Sequence, residues 1–292
     1  MCVLVSGWFS FENMGATAGD LIACDVLCNW LTSAGISYEI AYAPPFDGGV
    51  RWQHTDPGKY THIIFVCGPF GNGWPVTEFL EHFKGVKLVG LNLTLLESLE
   101  QWNPFEFCYE RDSASSHRPD ITFASCSERI PVVGVILAHL QKEYGSRSKH
   151  AEANEAIQNL VSSRHIVRID IDTSLENNAG GLKTPEEIES LIAKMDIVVT
   201  TRLHGLALSI KNGVPVVALD PIEGGDKITR QARSIGWPVV FSPGQYSPEK
   251  IEEAFQFCTT NEAKALALKC AETAREKVEA MGKELMDKLN HV

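Results

Sequence analysis

Short apolar runs alternate with amphipathic stretches along most of the chain, a pattern that predicts parallel strands connected by helices. The clearest example covers residues 196–220. Two apolar runs, at residues 197–199 and 215–219, have the character of strands buried on both faces. The apolar positions between them recur at helical spacing: Leu203, Leu206, Ala207 and Ile210. Gly213 followed by Pro215 ends that helix, so the segment is predicted to form a strand, a helix and a second strand.

The same alternation predicts the α/β class, with two Rossmann-like β/α/β domains. Strands are expected at residues 2–6, 38–42, 62–67, 86–91, 106–110, 121–124, 132–137, 166–171, 197–199, 215–219 and 239–241. We expect an N-terminal domain over residues 1–105 and a C-terminal domain over residues 106–260. The remaining residues, 261–292, predict a long helix with an apolar stripe, for which the N-terminal domain is the candidate packing partner.

The amino-acid composition argues against some classes of function but does not identify one. The 292 residues include 26 Lys and Arg against 37 Asp and Glu, giving a net charge of −11. This balance argues against a nucleic-acid partner, so any anion site must be a local concentration of positive charge. The first residues lack the basic region of a signal peptide, and no apolar run is long enough for a membrane span, so a cytoplasmic location is expected. Eight scattered cysteines without a CxxC pair predict reduced thiols, and neither a metal nor a cofactor is expected.

Candidate chemistry lies where predicted strands end. Arg202 and His204 fall between the first strand of the 196–220 unit and the first turn of its helix, where open α/β sheets bind ligands. The free N–H groups of a helix start favour an anion. An always-charged guanidinium beside a titratable imidazole therefore suggests a phosphorylated or carboxylated substrate and a proton transfer. Arg111, with Asp112 beside it, is a second candidate cation at a strand end, and Lys227 is a third.

Each candidate also has a structural interpretation. An Arg in an acidic protein often forms surface ion pairs, and a lone His often caps a helix or lies satisfied in the core. Asp112 either orients Arg111 or caps a helix. The loops that contain Asn13, Gly15, Gly71 and Gly73 either bring backbone N–H groups close to a ligand or are simple turns.

Several of these segments resemble one family. Thr201-Arg202-Leu203-His204-Gly205, followed by residues 213–219, resembles the RLH signature of polysaccharide pyruvyl transferases. Arg111-Asp112 with Ser115 is similar to the family's RDxxS element, and Pro119-Asp120 to its following Pro-Asp pair. Asn13-Met14-Gly15, the 68–73 loop and Asp226-Lys227-Ile228 are similar to further family elements, in the family's order.

The resemblance implies a two-lobed, glycosyltransferase-B-like enzyme that moves the enolpyruvyl unit of phosphoenolpyruvate onto a sugar or glycan precursor, usually as a pyruvate ketal. The N-terminal domain would be the acceptor side and the C-terminal domain the donor side, in exopolysaccharide or cell-wall glycan biosynthesis. The catalytic residues would be His204 and Arg202. The substrate-binding residues would be Arg111, Asp112, Leu203, Gly205, Lys227, Asn13, Gly15, Gly71 and Gly73.

Two other functions remain open from the sequence. The donor could be a nucleotide sugar, with carboxylates of the 220–226 turn holding ribose hydroxyls. The chain could instead be a non-catalytic member of the family that binds an anionic metabolite. A homo-oligomer is also compatible with the sequence.

Overall fold

The computed structural model describes residues 2–113, 116–139, 142–176, 178–224, 227–245 and 247–291, apart from the side chains of residues 142 and 143. The chain divides into two compact units, residues 1–128 and 129–292. Each unit contains a five-stranded parallel sheet.

Unit 1 alternates strands with two helices and several 3-10 turns. Its strands are β1 (Cys2–Ser6), β2 (Ser37–Ile40), β3 (His62–Phe70), β4 (Lys87–Leu95) and β5 (Phe107–Glu110), and its helices are α1 (Ala18–Ser33) and α2 (Val76–His82). Its 3-10 turns cover Trp8–Ser10, Trp52–His54, Pro57–Lys59 and Ile121–Ala124.

Over its described residues, unit 2 has five strands and six helices. The strands are β6 (Val132–Ile136), β7 (Val167–Asp170), β8 (Ile197–Thr200), β9 (Val216–Leu219) and β10 (Val240–Phe241). The helices are α3 (His150–Ser162), α4 (Pro185–Ile192), α5 (Leu203–Lys211), α6 (Lys227–Ile235), α7 (Pro248–Cys258) and α8 (Asn261–Asn290), and a 3-10 segment covers Lys142–Arg147.

The two sheets share one topology. Their orders are β2-β1-β3-β4-β5 and β10-β9-β8-β6-β7, so the first strand of each unit lies beside its third. At that point the chain direction across the sheet reverses, and the loops after the two strands diverge to leave a crevice. In unit 2 the crevice lies between the ends of β6 and β8. The predicted α/β class, the two Rossmann-like domains and the long C-terminal helix are confirmed.

Two boundaries differ from the predictions. The predicted division after residue 105 is corrected to residue 128, because β5 pairs with β4 in the first sheet, with Val89 opposite Phe107. The predicted strand at 121–124 is a 3-10 turn, because the Asp120 carboxylate accepts a hydrogen bond from the Thr122 N–H at 2.8 Å and so caps it.

The start of α8 packs within its own unit. Its buried residues, Ala263, Ala267, Cys270 and Ala271, belong to the core of unit 2, where the helix packs on α5, α6 and α7. Small side chains on this half of the helix allow that close packing within its own unit. The packing of the rest of the helix on the first domain stays a prediction. Among the described residues, no helix combines the length and the apolar character needed to cross a membrane.

Candidate functional site

A pocket of about 280 Å³ lies at the carboxyl edge of the unit 2 sheet. It is formed by the segments that follow β6, β8 and β9 and by the start of α6. Its lining residues are Ala138, His139, Thr201, Arg202, Leu203, His204, Asp220, Pro221, Ile222, Lys227 and Ile228. Four of the predicted site residues, Arg202, Leu203, His204 and Lys227, therefore line one pocket.

Two buried threonines hold the pocket's walls in place. The Thr200 hydroxyl donates to the Ile136 carbonyl at 2.7 Å and accepts from the Arg202 N–H at 3.0 Å. The Thr201 hydroxyl accepts from the Ala138 N–H at 2.8 Å and donates to Asn154 at 2.9 Å. These bonds tie the end of β8 to the end of β6, so Arg202 begins its helix at a fixed place on the sheet edge.

Gly205 lies behind this wall, fully buried, and does not line the pocket. A Cβ at this position would clash with the Thr200 side chain and contact Ile136 at 3.1 Å. The glycine of the RLHG segment is thus explained by the close approach of α5 to β8.

The guanidinium of Arg202 has one described partner. Its Nη1 lies 3.2 Å from Asp172 Oδ1, and the side chain keeps 27% of its exposure. A guanidinium offers five N–H donors in a planar fork, so most of its donors remain for a ligand. Asp172 orients the guanidinium of Arg202 by binding one of its nitrogens, Nη1. The other N–H groups have no described partner.

Asp172 and His139 are site residues that the sequence analysis missed. Asp172 follows β7 and accepts from the Ser174 N–H at 2.9 Å, while its second oxygen lies 3.8 Å from His139 Nε2. His139 follows β6 and forms part of the wall of a neighbouring cavity of about 290 Å³. Their position just after predicted strands was the sequence signal that could have found them.

His204 is the second residue of α5, and its side chain is exposed at the pocket. Its ring forms no hydrogen bond with the residues that the structure describes, which removes the helix-cap and buried-core interpretations. No side chain caps the start of α5, so the N–H groups of the first turn keep their partial positive charge. Arg202 and these N–H groups make the pocket a local positive site in an acidic protein, and His204 lies beside them.

Lys227 begins α6 on the opposite side of the pocket, with its ammonium 5.5 Å from the centre of the Tyr144 ring. The buried Asp220 accepts from the Ile222 N–H at 3.2 Å and from the Thr229 N–H and hydroxyl at 2.9 Å each. This carboxylate therefore holds the turn before α6, and its charge is matched by protein donors. Asp226, beside Lys227, lies outside the described residues.

Arg111 and Asp112 belong to a network within unit 1. Arg111 donates to Asp120 at 2.9 Å, to Thr94 at 3.0 Å and to Asp112 at 3.3 Å. Burial alone would lower the pKa of Arg111, but the bond to Asp120 and the charges of both carboxylates outweigh it and raise the pKa. Of the two interpretations of Asp112, the geometry matches a partner of Arg111. Ser115, which completes the RDxxS element, lies outside the described residues.

The glycine-bearing loops of unit 1 differ from one another. Asn13 and Gly15 have left-handed backbones, with φ of 57° and 72°, in the loop before α1. A Cβ on Gly71 would lie 2.8 Å from Glu97 Oε2, and the Asn72 N–H donates to the same oxygen at 3.2 Å. The carboxylate of Glu97 thus occupies this turn, whereas the space around Gly73 is open.

A family model described as polysaccharide pyruvyl transferase matches residues 115–222. The match spans β6 to β9 and includes Arg202 and His204, so the resemblance drawn from the sequence is confirmed there. No curated protein matches the chain at a significant level.

The solved structures that align with this chain do so at low sequence identity and low TM-score. Spinosyn rhamnosyltransferase SpnG complexed with thymidine diphosphate has 10% identity and a TM-score of 0.33, with 94% of this chain and 96% of that chain covered. CalG4, the calicheamicin glycosyltransferase, has 11% identity and a TM-score of 0.35, with 96% and 97% covered. UDP-GlcNAc 2-epimerase from Methanocaldococcus jannaschii has 9% identity and a TM-score of 0.33, with 95% and 99% covered. At this level the similarity has no bearing on the reaction.

Proposed function

We propose that this chain transfers the enolpyruvyl unit of phosphoenolpyruvate to a hydroxyl pair of a sugar or glycan precursor, forming a pyruvate ketal. The observation that carries the proposal is the concentration of Arg202, His204 and Lys227 around one pocket at the uncapped start of α5. Phosphoenolpyruvate carries a phosphate and a carboxylate, which require at least two separated cationic donors. The match to a model described as polysaccharide pyruvyl transferase supports pyruvyl transfer as the class of reaction.

In the proposed complex, the phosphate binds the first-turn N–H groups of α5 and Lys227, and the carboxylate binds the Arg202 fork. Backbone donors and fixed cations of this kind favour the charge that develops as phosphate leaves. His204 then lies on the pocket side of the first helical turn, next to the reacting carbons. Because its ring has no described partner, it is free to exchange a proton with the substrate.

The proposed reaction begins when His204 donates a proton to the methylene carbon, which becomes a methyl group, while a sugar hydroxyl adds to the adjacent carbon. The bond from that carbon to the phosphate oxygen breaks, and inorganic phosphate leaves. The second hydroxyl adds to the same carbon and closes the ketal. Of the two hydroxyl protons released, one replaces the proton that His204 gave and the other leaves on the phosphate. His139, oriented by Asp172, is the candidate base for the first hydroxyl.

The test is an incubation of the purified protein with phosphoenolpyruvate and candidate sugar acceptors, with release of phosphate and formation of a ketal product as the readouts. We expect both in the wild type and neither in His204→Ala, whose fold is checked by circular dichroism. If His204→Ala releases phosphate at the wild-type rate, His204 is not the acid. If phosphoenolpyruvate binds but no acceptor gives turnover, the chain is the non-catalytic member considered above.

A nucleotide-sugar donor is the alternative. It requires free carboxylates in the 220–226 turn to hold ribose hydroxyls, and the structure commits Asp220 to Ile222 and Thr229. Thermal shift separates the two donors, because only a ligand that binds the folded state raises the melting temperature. Stabilisation by uridine diphosphate and none by phosphoenolpyruvate would favour the nucleotide.

A further inference from the structure

The two fixed cations of the unit 2 pocket are oriented by different kinds of partner. The Lys227 ammonium lies 5.5 Å from the centre of the Tyr144 ring, and among the described residues it forms no ion pair or hydrogen bond. Arg202, in contrast, is paired with the carboxylate of Asp172. An aromatic face attracts a cation through its quadrupole but carries no net charge. The ring therefore orients Lys227 without neutralising it, and its full charge is available to an anion.

The segment that contains this tyrosine is fixed to the wall of the same pocket. It is the 3-10 segment Lys142–Arg147, and the chain directly after it forms an antiparallel bridge with the turn between β9 and α6. The Lys149 N–H donates to the Pro221 carbonyl at 2.7 Å, and the Glu223 N–H donates to the Arg147 carbonyl at 2.9 Å. Because Pro221 lines the pocket, these bonds set the position of the segment relative to it.

Gly145, directly after Tyr144, gives the segment its bend. Its backbone, with φ 51° and ψ −127°, has a conformation that residues other than glycine rarely adopt. Crowding is not the reason for this glycine, because a Cβ here would meet no atom within 4 Å beyond its chain neighbours. The glycine therefore serves the path of the chain, and an alanine at this position is expected to move Tyr144.

The ring of Tyr144, and not its hydroxyl, makes the contact with Lys227. The hydroxyl forms no hydrogen bond with the residues that the structure describes, and both side chains are half-buried. Partial burial strengthens a cation–π contact, because less water competes for the ammonium. A lysine side chain loses much rotamer freedom when it is ordered. The ring restricts those rotamers before a ligand arrives.

We infer that Tyr144 is a positioning residue whose ring holds the Lys227 ammonium ready for the phosphate group of a ligand. The inference rests on the proposed function in taking Lys227 as a phosphate-binding residue. Tyr144 itself does not contact the phosphate in this arrangement. It acts through Lys227, so its effect on binding must disappear when Lys227 is removed.

The test is a titration of the full chain with inorganic phosphate, followed by phosphorus NMR without any sugar acceptor. Tyr144→Leu is expected to weaken phosphate binding about three- to tenfold, the range of a partly buried cation–π contact. Tyr144→Phe should stay within about twofold of the wild type, because it retains the ring. In a Lys227→Met protein, Tyr144→Leu should add no further loss, because the ring then has no ammonium to hold.

Two further variants separate positioning from general damage. Gly145→Ala keeps the ring but strains the chain beside it, so it should also weaken phosphate binding. Tyr109→Leu is the matched control, because Arg118 lies over the Tyr109 ring at 5.6 Å in unit 1 and neither residue lines the pocket. Its phosphate affinity should equal that of the wild type.

The inference is overturned if the wild type binds no phosphate, if Tyr144→Leu binds it as the wild type does, or if Tyr144→Phe loses as much affinity as Tyr144→Leu. An undiminished effect of Tyr144→Leu in the Lys227→Met protein also overturns it. Consumption of phosphoenolpyruvate is measured separately. Phosphate binding that depends on Tyr144, in a protein that never consumes phosphoenolpyruvate, would reject the proposed reaction and keep the inference. Consumption with an unchanged KM for phosphoenolpyruvate in Tyr144→Leu would do the opposite.

Discussion

Each unit has an arginine just after a strand of its sheet, but the two units use that arginine differently. Arg111 follows β5 of unit 1, and its guanidinium contacts Asp120, Thr94 and Asp112. Arg202 follows β8 of unit 2 and contacts Asp172 alone among the described residues. Their side-chain exposures are nearly equal, at 23% and 27%. Burial therefore does not separate the two arginines, and the number of protein partners does.

This difference shows how a strand-end arginine is assigned to structure or to ligand binding. A guanidinium that donates to several protein oxygens has few N–H groups left for a ligand. A guanidinium with a single protein partner is held in one orientation, and its other N–H groups can still bind a ligand. Arg111 thus holds Asp112 and Asp120 in place within unit 1, and Arg202 lines the positive pocket of unit 2. Substitutions in the two units should accordingly affect different measurements.

Replacing Arg202 should have the largest effect on donor binding. Arg202→Met removes hydrogen bonds to a charged ligand, each of which contributes about 1.5–3 kcal/mol, so the affinity for phosphoenolpyruvate should fall roughly 10- to 100-fold. Calorimetric titration measures this loss. Arg111→Met is the matched control in unit 1. Equal losses in both variants would contradict the assignment.

Gly205→Ala should destabilise unit 2 by about 1–3 kcal/mol, the usual cost of overpacking a filled site, because its methyl group meets Thr200 and Ile136. Chemical denaturation measures the change in the free energy of unfolding. Gly73→Ala is the control, since the space around Gly73 is open. An unchanged Gly205→Ala protein would show that α5 can move away from β8 at no cost.

Arg111→Met should destabilise unit 1 by about 1–2 kcal/mol, because it leaves Asp120 without its ionic partner in a half-buried site. Arg202→Met should cost less, since only one bond to Asp172 is lost. Denaturation of the two variants side by side gives the comparison. A greater loss of stability in Arg202→Met would reverse the roles given to the two arginines.

The smallest expected effect is a difference in acid sensitivity. Backbone and side-chain bonds to Thr122, and then those from Asn92 and Arg111, outweigh burial, the largest single influence, and lower the pKa of Asp120. The bond to Thr94, followed by the charge of Arg111, lowers the pKa of Asp112. Groups with depressed folded pKa values stabilise the protein above their unfolded pKa, near 3.8, and lose that contribution as the pH falls through the folded values.

The wild type should therefore lose more stability than Arg111→Met when the pH falls from 6 to 3, because the variant has less of this stabilisation to lose. Urea denaturation at the two pH values measures both losses. Parallel losses in the two proteins would mean that Arg111 contributes nothing to the depressed pKa values.

The local pattern of apolar and polar residues predicted much of the fold. The strand, helix and strand predicted over residues 196–220 are β8, α5 and β9. They were predictable because a buried parallel strand has a continuous apolar run and a helix on a sheet has an apolar stripe at helical spacing. The boundary at residue 105 was wrong because β5 pairs with the preceding strand, β4, and so belongs to the first sheet. The residues of a short strand do not show which sheet the strand joins.

The sequence by itself determined that Arg202 and His204 stand at the end of a buried strand and the start of a helix, since local spacing and apolar periodicity set both. Only the tertiary structure decided which cations remain available to a ligand, because that depends on partners far away in the chain. Asp172 reaches Arg202 from another strand, and Asp120 completes the Arg111 network across a turn. Periodicity reports which face of an element is buried, and three-dimensional packing alone determines what that face meets.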